Sequence, residues 1–307
     1  MAAAIERECH RKRRCRTRHR PPQLVALNAI NRRSRLKGTP MFAKTSLYAI
    51  GLALGLTTLI PSEANAHRRW LLPSSTVLAG DSETITVDAA ASNELFVFEH
   101  RPLRLDSLVI TGPDGQSVQP QIIGSGSYRS VFDLPLAAQG TYRVALVSNG
   151  SMGSYELNGA RHRFRGDASE VPEGATDVRM NHTHSRTETF VTLGAPSDTA
   201  LQPVNSGLEM IAVSHPNDIV AGEPATVRFL IDGQPAAGLE VEFVEGNTRY
   251  RDNAGIQNLV TDAEGQLTLE AANPGMYYLE ASSSQDGIDG EPDRRSSYTA
   301  VLEFLPL

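Results

Sequence analysis

LEVEFVE, residues Leu239 to Glu245, alternates apolar and acidic side chains. Leu239, Val241 and Phe243 share one side while Glu240, Glu242 and Glu245 fall largely opposite, the pattern of a strand with one face in a core and the other in water. No stretch of a dozen residues shows a convincing helical stripe of apolar residues three and four apart. Working outward, ETITV (Glu83 to Val87), ELFVFE (Glu94 to Glu99), TYRVALV (Thr141 to Val147), ATVRFLI (Ala225 to Ile231) and QLTLEA (Gln266 to Ala271) carry the same strand signal. Turn chemistry such as GPDGQ, IDGQP, DAEGQ and NPG separates them. The expectation is an all-β fold of antiparallel β-sandwiches.

A repeat divides the chain. VLAGDSETITV (Val77 to Val87) and IVAGEPATVRF (Ile219 to Phe229) share Ala-Gly, an acid, two residues, Thr and a β-branched residue. Gly140-Thr-Tyr142 and Gly275-Met-Tyr277 each open a later apolar strand. Two copies of one sandwich unit would produce this, and the Pro/Ser/Gly-rich loop Gly194 to Gly207 marks the boundary. The expected domains are residues 67–200 and 206–307.

Ahead of them, Ser46 to Ile60 is uncharged and apolar, follows Lys44 and precedes the small-residue sites SEA and ANA. That order is a secretory signal peptide, residues 41–66. Its apolar run is shorter than the roughly twenty residues of a membrane span. Residues 1–40 are Arg- and Pro-rich without apolar periodicity, and read as a basic extension upstream of a start at Met41. A nucleic-acid-binding arm is the rival reading, but in front of an export signal it makes little sense. The leader through Ala66 holds all three lysines and both cysteines, and leaves 16 basic against 32 acidic residues, a formal charge of −16. A chain so acidic argues against nucleic acid as partner and suits cations. Without cysteine it has no disulfide and no thiolate metal site, so stability comes from core burial.

The segment IDGQPAAGLEVEF with TDAEGQLTLEAANPGMYYLEA (Thr261 to Ala281) resembles the carboxypeptidase-regulatory or transthyretin-like sandwich. AHRRWLLPS at the start of the processed chain, TETFVTLG (Thr187 to Gly194) and GLEMIAVSHPND (Gly207 to Asp218) resemble the exported domain-of-unknown-function 4198 family, whose members typically begin "AHxxW". The resemblance implies a two-sandwich exported protein associated with nickel or cobalt uptake. Arg68 and Arg69 depart from the acidic residue usual near the opening Trp.

Cleavage after Ala66 would leave His67 as the free terminus, its α-amine and ring Nδ1 able to chelate one ion. A second imidazole would complete the three-nitrogen set of a histidine brace, which suits Cu(II). Cleavage after Ala64 would place His67 third, where amine, two amides and imidazole form a square-planar set for Cu(II) or Ni(II). Candidate partners are His182 and His184 in NHTHS, two apart and on one strand face, then His100 in FEHRP. His162 lies in the basic run RHRFR, which suits carboxylates or an anionic ligand better than a metal. His215 precedes a proline and reads as structural. DGIDGEPD (Asp286 to Asp293) collects four carboxylates but lacks the spacing of a calcium-binding helix-loop-helix loop.

No zinc-helix, nucleophile-elbow, phosphate-loop or dinucleotide motif is present, so no catalytic residue is expected. An N-terminal-histidine copper oxygenase is the enzyme class that the terminus would allow, and the single Trp speaks against it. The reading is a periplasmic, non-catalytic carrier of Ni(II), Co(II) or Cu(II), with a membrane transporter or outer-membrane receptor as recipient. A metal-free module binding a cell-surface protein or glycan through its loops is the alternative.

Overall fold

The computed structural model describes residues 67–287 and 291–307. The basic extension and the signal peptide therefore lie outside the described residues, as does part of the acidic segment DGIDGEPD.

The described chain is all-β. Its first half forms β1 (Arg68–Pro73), β2 (Val77–Leu78), β3 (Glu83–Ser92), β4 (Arg101–Pro102), β5 (Leu108–Thr111), β6 (Gln121–Ser125), β7 (Ser130–Leu136), β8 (Gly140–Leu157), β9 (Ala160–Arg165) and β10 (Thr176–Leu193). The second half forms β11 (Leu208–Ala212), β12 (Pro224–Ile231), β13 (Gln234–Pro235), β14 (Glu240–Glu245), β15 (Gln257–Val260), β16 (Gln266–Glu270), β17 (Gly275–Gln285) and β18 (Asp293–Phe304). No helix among the described residues is long and apolar enough to cross a membrane.

Three sheets stack in layers. A nine-stranded sheet runs β15-β14-β17-β18-β10-β8-β5, with β2 beside β10 and β9 beside β8. A five-stranded sheet, β1-β3-β7-β6 with β4 on β3, covers one face, and a four-stranded sheet, β11-β12-β13 with β16 on β12, covers the other. The alternation of β10 explains how. Val191 and Leu193 join a core with Ile85, Val87, Phe132 and Leu134 of the five-stranded sheet, whereas Phe190 joins Leu208, Met210, Val227 and Phe229 of the four-stranded sheet. Burying each such side chain contributes roughly 1.5–3 kcal/mol.

The repeat is visible in the pairing. β2 lies parallel to the end of β10, and Val220 makes a parallel bridge to Leu305 just past β18. Gly140 and Gly275, with φ of 127° and 145°, open β8 and β17. Two residues on, Tyr142 Oη donates to Ala138 O at 2.7 Å and Tyr277 Oη to Asn273 O at 2.9 Å, the same four-residue return in each half. The sequence reading separates the sandwiches at Gly194 to Gly207. That loop lies between β10 and β11, and the two halves meet edge to edge: β10 pairs in parallel with β18 from Asn181↔Asp293 to Thr189↔Val301. Because β8 and β17 flank the β10–β18 pair on its two sides, the halves are related by a pseudo-two-fold axis along the strands, and the two cores fall on opposite faces of one sheet.

ELFVFE, expected as a strand, is instead a turn and loop. Phe96 takes φ of 61°, which breaks the extended run, and Leu95, Phe96 and Phe98 fold over Trp70. Their apolar sequence reflects a lid on a tryptophan, which period-two reading cannot tell from a strand.

Between the central and four-stranded sheets, Arg186 Nη1 donates to Glu188 Oε1 at 2.9 Å and Tyr298 Oη to Glu188 Oε2 at 2.9 Å. Burial pushes the Tyr298 hydroxyl well above its ordinary pKa, with the Glu188 charge adding to the effect. The ion pair is almost wholly enclosed, with side chains 5% and 1% exposed. Arg186→Ala leaves Glu188 buried and unpaired, and is expected to cost about 3–5 kcal/mol in urea unfolding. Arg186→Met with Glu188→Leu is expected to recover most of that loss.

Candidate functional site

The four residues that open the described chain each have a separate anchor. His67 stacks on His100 with ring centroids 3.5 Å apart and planes within 8°. Arg68 pairs with Glu242 at 2.9 Å and lies 5.8 Å from the Tyr278 ring centroid. Arg69 spans two strands, donating from Nη1 to Ser185 Oγ and from Nη2 to Ser297 Oγ, both at 3.2 Å. Trp70 is fully buried with Ala90, Leu95, Val244, Tyr278 and Val301, and meets Phe96 edge-on at 5.7 Å. β1 is thus pinned on its Trp70 side and across the central sheet, and holds His67 at a defined place.

His100 is exposed at the start of the short β4 hairpin. Its imidazole is held below the ordinary value by desolvation, then by His67 and Arg101, against an opposing pull from Glu99. A neutral ring keeps a lone pair for a metal. The stacked lone pairs lie in parallel planes, so one ion could take both rings only after one ring turns.

The other expected pair is built differently. His182 and His184 project from one face of β10, as two-residue spacing requires. His182 Nδ1 and Ser151 Oγ share a hydrogen bond of 2.8 Å. Both ring nitrogens of His184 are buried and have no hydrogen-bond partner. The ring packs onto Gly207, where φ is +66° and an added Cβ would lie 2.0 Å from Nδ1. Desolvation depresses the His184 pKa, aided by Arg186 and Arg294 and opposed by Asp232 and Glu209. Both histidines line a pocket of about 630 Å³ with Asp167, Asp232 and Arg294, and Arg294 already holds Asp232 at 2.9 Å.

The candidate ligands therefore form two separate pairs. His182 and His184 are on the face of β10 that carries Arg186 and Glu188, whereas Arg69 reaches the opposite face at Ser185. Among the described residues no group of three or more His, Cys, Asp or Glu converges on one point. Of the remaining histidines, His162 stacks on Tyr155 at 5.3 Å. His215 Nδ1 accepts the Asn217 N–H at 3.2 Å, while Nε2 meets Thr141 Oγ1 at 3.0 Å, tying the inter-sandwich loop to β8. In RHRFR, Arg161 pairs with Glu156 and Asp177, which holds the Asp177 carboxyl below its usual range through hydrogen bonds from Arg161 and Arg179.

The family model described as Domain of unknown function (DUF4198) matches residues 64–285. The chain belongs to this family. The match takes in β1, every candidate ligand and β17, and ends just short of β18, which carries the β1 anchors Ser297 and Val301. No curated protein matches the chain. Among solved structures it is similar to the D0-D1 domain of Intimin, at 15% identity and a TM-score of 0.20, over 76% of this chain and 97% of that one. It is also similar to trypsin-activated alpha-2-macroglobulin from Escherichia coli, at 11% identity and a TM-score of 0.19, over 77% of this chain and 23% of that one. The two tandem V-type regions of VCBP3, a v-region-containing chitin binding protein, match at 12% identity and a TM-score of 0.19, over 76% and 99%. Likenesses at these scores carry no argument about activity.

Sequence reasoning ranked His100 last, because the fold that returns FEHRP to the first residue of β1 leaves no local signal. It also passed over Ser185, Ser297 and Gly207; the signal available was the run of serines in otherwise apolar strands. Gly207→Ala is expected to lower thermal stability by at least about 1 kcal/mol, from its positive φ and from the displaced His184 ring. Adding His184→Ala is expected to return the steric part only. The depressed His184 pKa gives a stability contribution that is full above pH 6.5 and lost as pH falls through the lower folded value. Thermal melts from pH 7.5 to pH 4.5 should therefore decline less steeply in His184→Gln.

Proposed function

We propose that the processed chain is an exported, periplasmic, non-catalytic protein that binds one transition-metal ion, Ni(II), Co(II) or Cu(II), and delivers it to an uptake or homeostasis partner. A membrane transporter or outer-membrane receptor is the recipient that this reading implies. The observation that carries it is the contact between His67 and His100. A signal peptidase cut after Ala66 adds the His67 α-amine, giving three nitrogens on a strand end pinned by Trp70, Arg68 and Arg69. Borderline ions such as Cu(II), Ni(II) and Co(II) favour such nitrogen sets. A cut after Ala64 retains a chelating terminus in Asn65-Ala66-His67.

Further support comes from the family resemblance, which associates such proteins with nickel or cobalt uptake, and from the acidic charge of the processed chain. His182 and His184 rank second, because Ser151 and Gly207 already engage their rings.

The test is native mass spectrometry of the exported chain with one equivalent of each metal. One ion per chain is expected, with affinity reduced about tenfold or more in His67→Ala and in His100→Ala, the scale of losing a ligand or its support. The double variant His182→Ala with His184→Ala should retain the ion. No ion retained by the unaltered chain, or equal retention in all variants, overturns the assignment and favours a metal-free interaction module.

A further inference from the structure

Beyond the first core, β8 and β10 continue uncovered. Each is 18 residues long, and burial gives way to exposure toward Leu157 and Thr176. Paired residues share a face, so the register lays out the floor of this open end. Ser148, Ser185, Ser297 and Ser282 form one row across β8, β10, β18 and β17, facing β1. Arg295 stands in the next row beside Thr183, and Arg165 of β9 stands beyond it opposite Met152. From the other side, Arg69 and Arg101 flank the same residue, Ala91 of β3. These residues line a groove of about 830 Å³ that contains four arginines and no carboxylate.

That composition is anomalous here. The processed chain has 32 acidic and 16 basic residues, and eight of those arginines hold carboxylates in ion pairs. Among the described residues, Arg101, Arg165 and Arg295 form no ion pair with a carboxylate, and the Arg69 guanidinium hydrogen-bonds only the two serines, with the Glu280 carboxyl near enough to feel its charge. Four like charges around one open volume repel one another, and an anion in the groove would offset that repulsion. Guanidinium forks match oxyanions in two parallel hydrogen bonds. Ser185 and Ser297 each accept from Arg69, which leaves their own O–H groups to donate. The volume lies within the range of small-molecule sites.

We infer that this groove binds a small multivalent oxyanion, a polycarboxylate or a phosphate compound, between Arg69, Arg101, Arg165 and Arg295 over the serine floor. The groove takes in His184 and borders the stacked imidazoles through Arg69 and Arg101, and the proposed binding requires no metal. Arg165 and Arg295 are exposed and make no packing contact that the core needs, so their replacement leaves the sandwich intact.

The experiment is isothermal titration of the metal-free exported chain with citrate and, separately, with pyrophosphate, at low and at high salt. Saturable one-site binding of at least one anion is expected, weakening with salt. The double variant Arg165→Gln with Arg295→Gln should lose about tenfold or more, as expected when charge-assisted hydrogen bonds are removed, with its thermal melt unchanged. Arg249→Gln, an exposed arginine on a different loop, should bind as the parent does. Citrate alone saturating assigns a polycarboxylate, and pyrophosphate alone assigns a phosphate compound. Absence of saturation by either, or an equal loss in Arg249→Gln, overturns the proposal.

Discussion

The structure depends on β10 having two apolar faces at one end and two polar ones at the other. From Arg186 to Leu193 each residue is buried, with odd positions serving the first core and even positions the second. A strand on the outside of a sandwich would alternate with solvent, and one buried on both faces reads as a continuous run. TETFVTL falls between those patterns because Arg186 and Glu188 neutralise each other inside the layer. The parallel pairing with β18 joins the two halves into one sheet with a core on either side.

The same arrangement sets where chemistry can occur. The covering strands reach only the lower half of β8 and β10, so the upper half presents serine, threonine and arginine to solvent. β1 crosses between these regimes: Trp70 and Leu71 enter different cores, Arg69 lies over the serine row, and His67 emerges at the end. A terminus created at His67, as the proposal requires, would be anchored within four residues and would lose little conformational freedom on taking a ligand, which favours affinity.

Much of the fold was legible in the sequence, for physical reasons that can be named. LEVEFVE shows its period because β14 has one face in the second core and the other toward solvent and Arg68. The repeat is legible because the strand-opening glycines and the returning tyrosines are local devices, confined to a few residues each. What the sequence did not disclose is non-local. ELFVFE carries strand-like composition, yet its aromatic residues serve Trp70. The stack of His67 on His100 depends on β3 lying between β1 and β4, and the arginine groove depends on register across seven strands of two sheets. None of these leaves a periodic trace.

The claim on which the functional account rests is that one ion at the chain terminus is held by two imidazoles from distant parts of the sequence. Pulsed electron paramagnetic resonance of the exported chain carrying one equivalent of Cu(II) counts coordinated imidazoles through their remote nitrogens. The account predicts modulation from two imidazoles, falling to one in His100→Ala. A single imidazole in the unaltered chain, unchanged by that substitution, would contradict it.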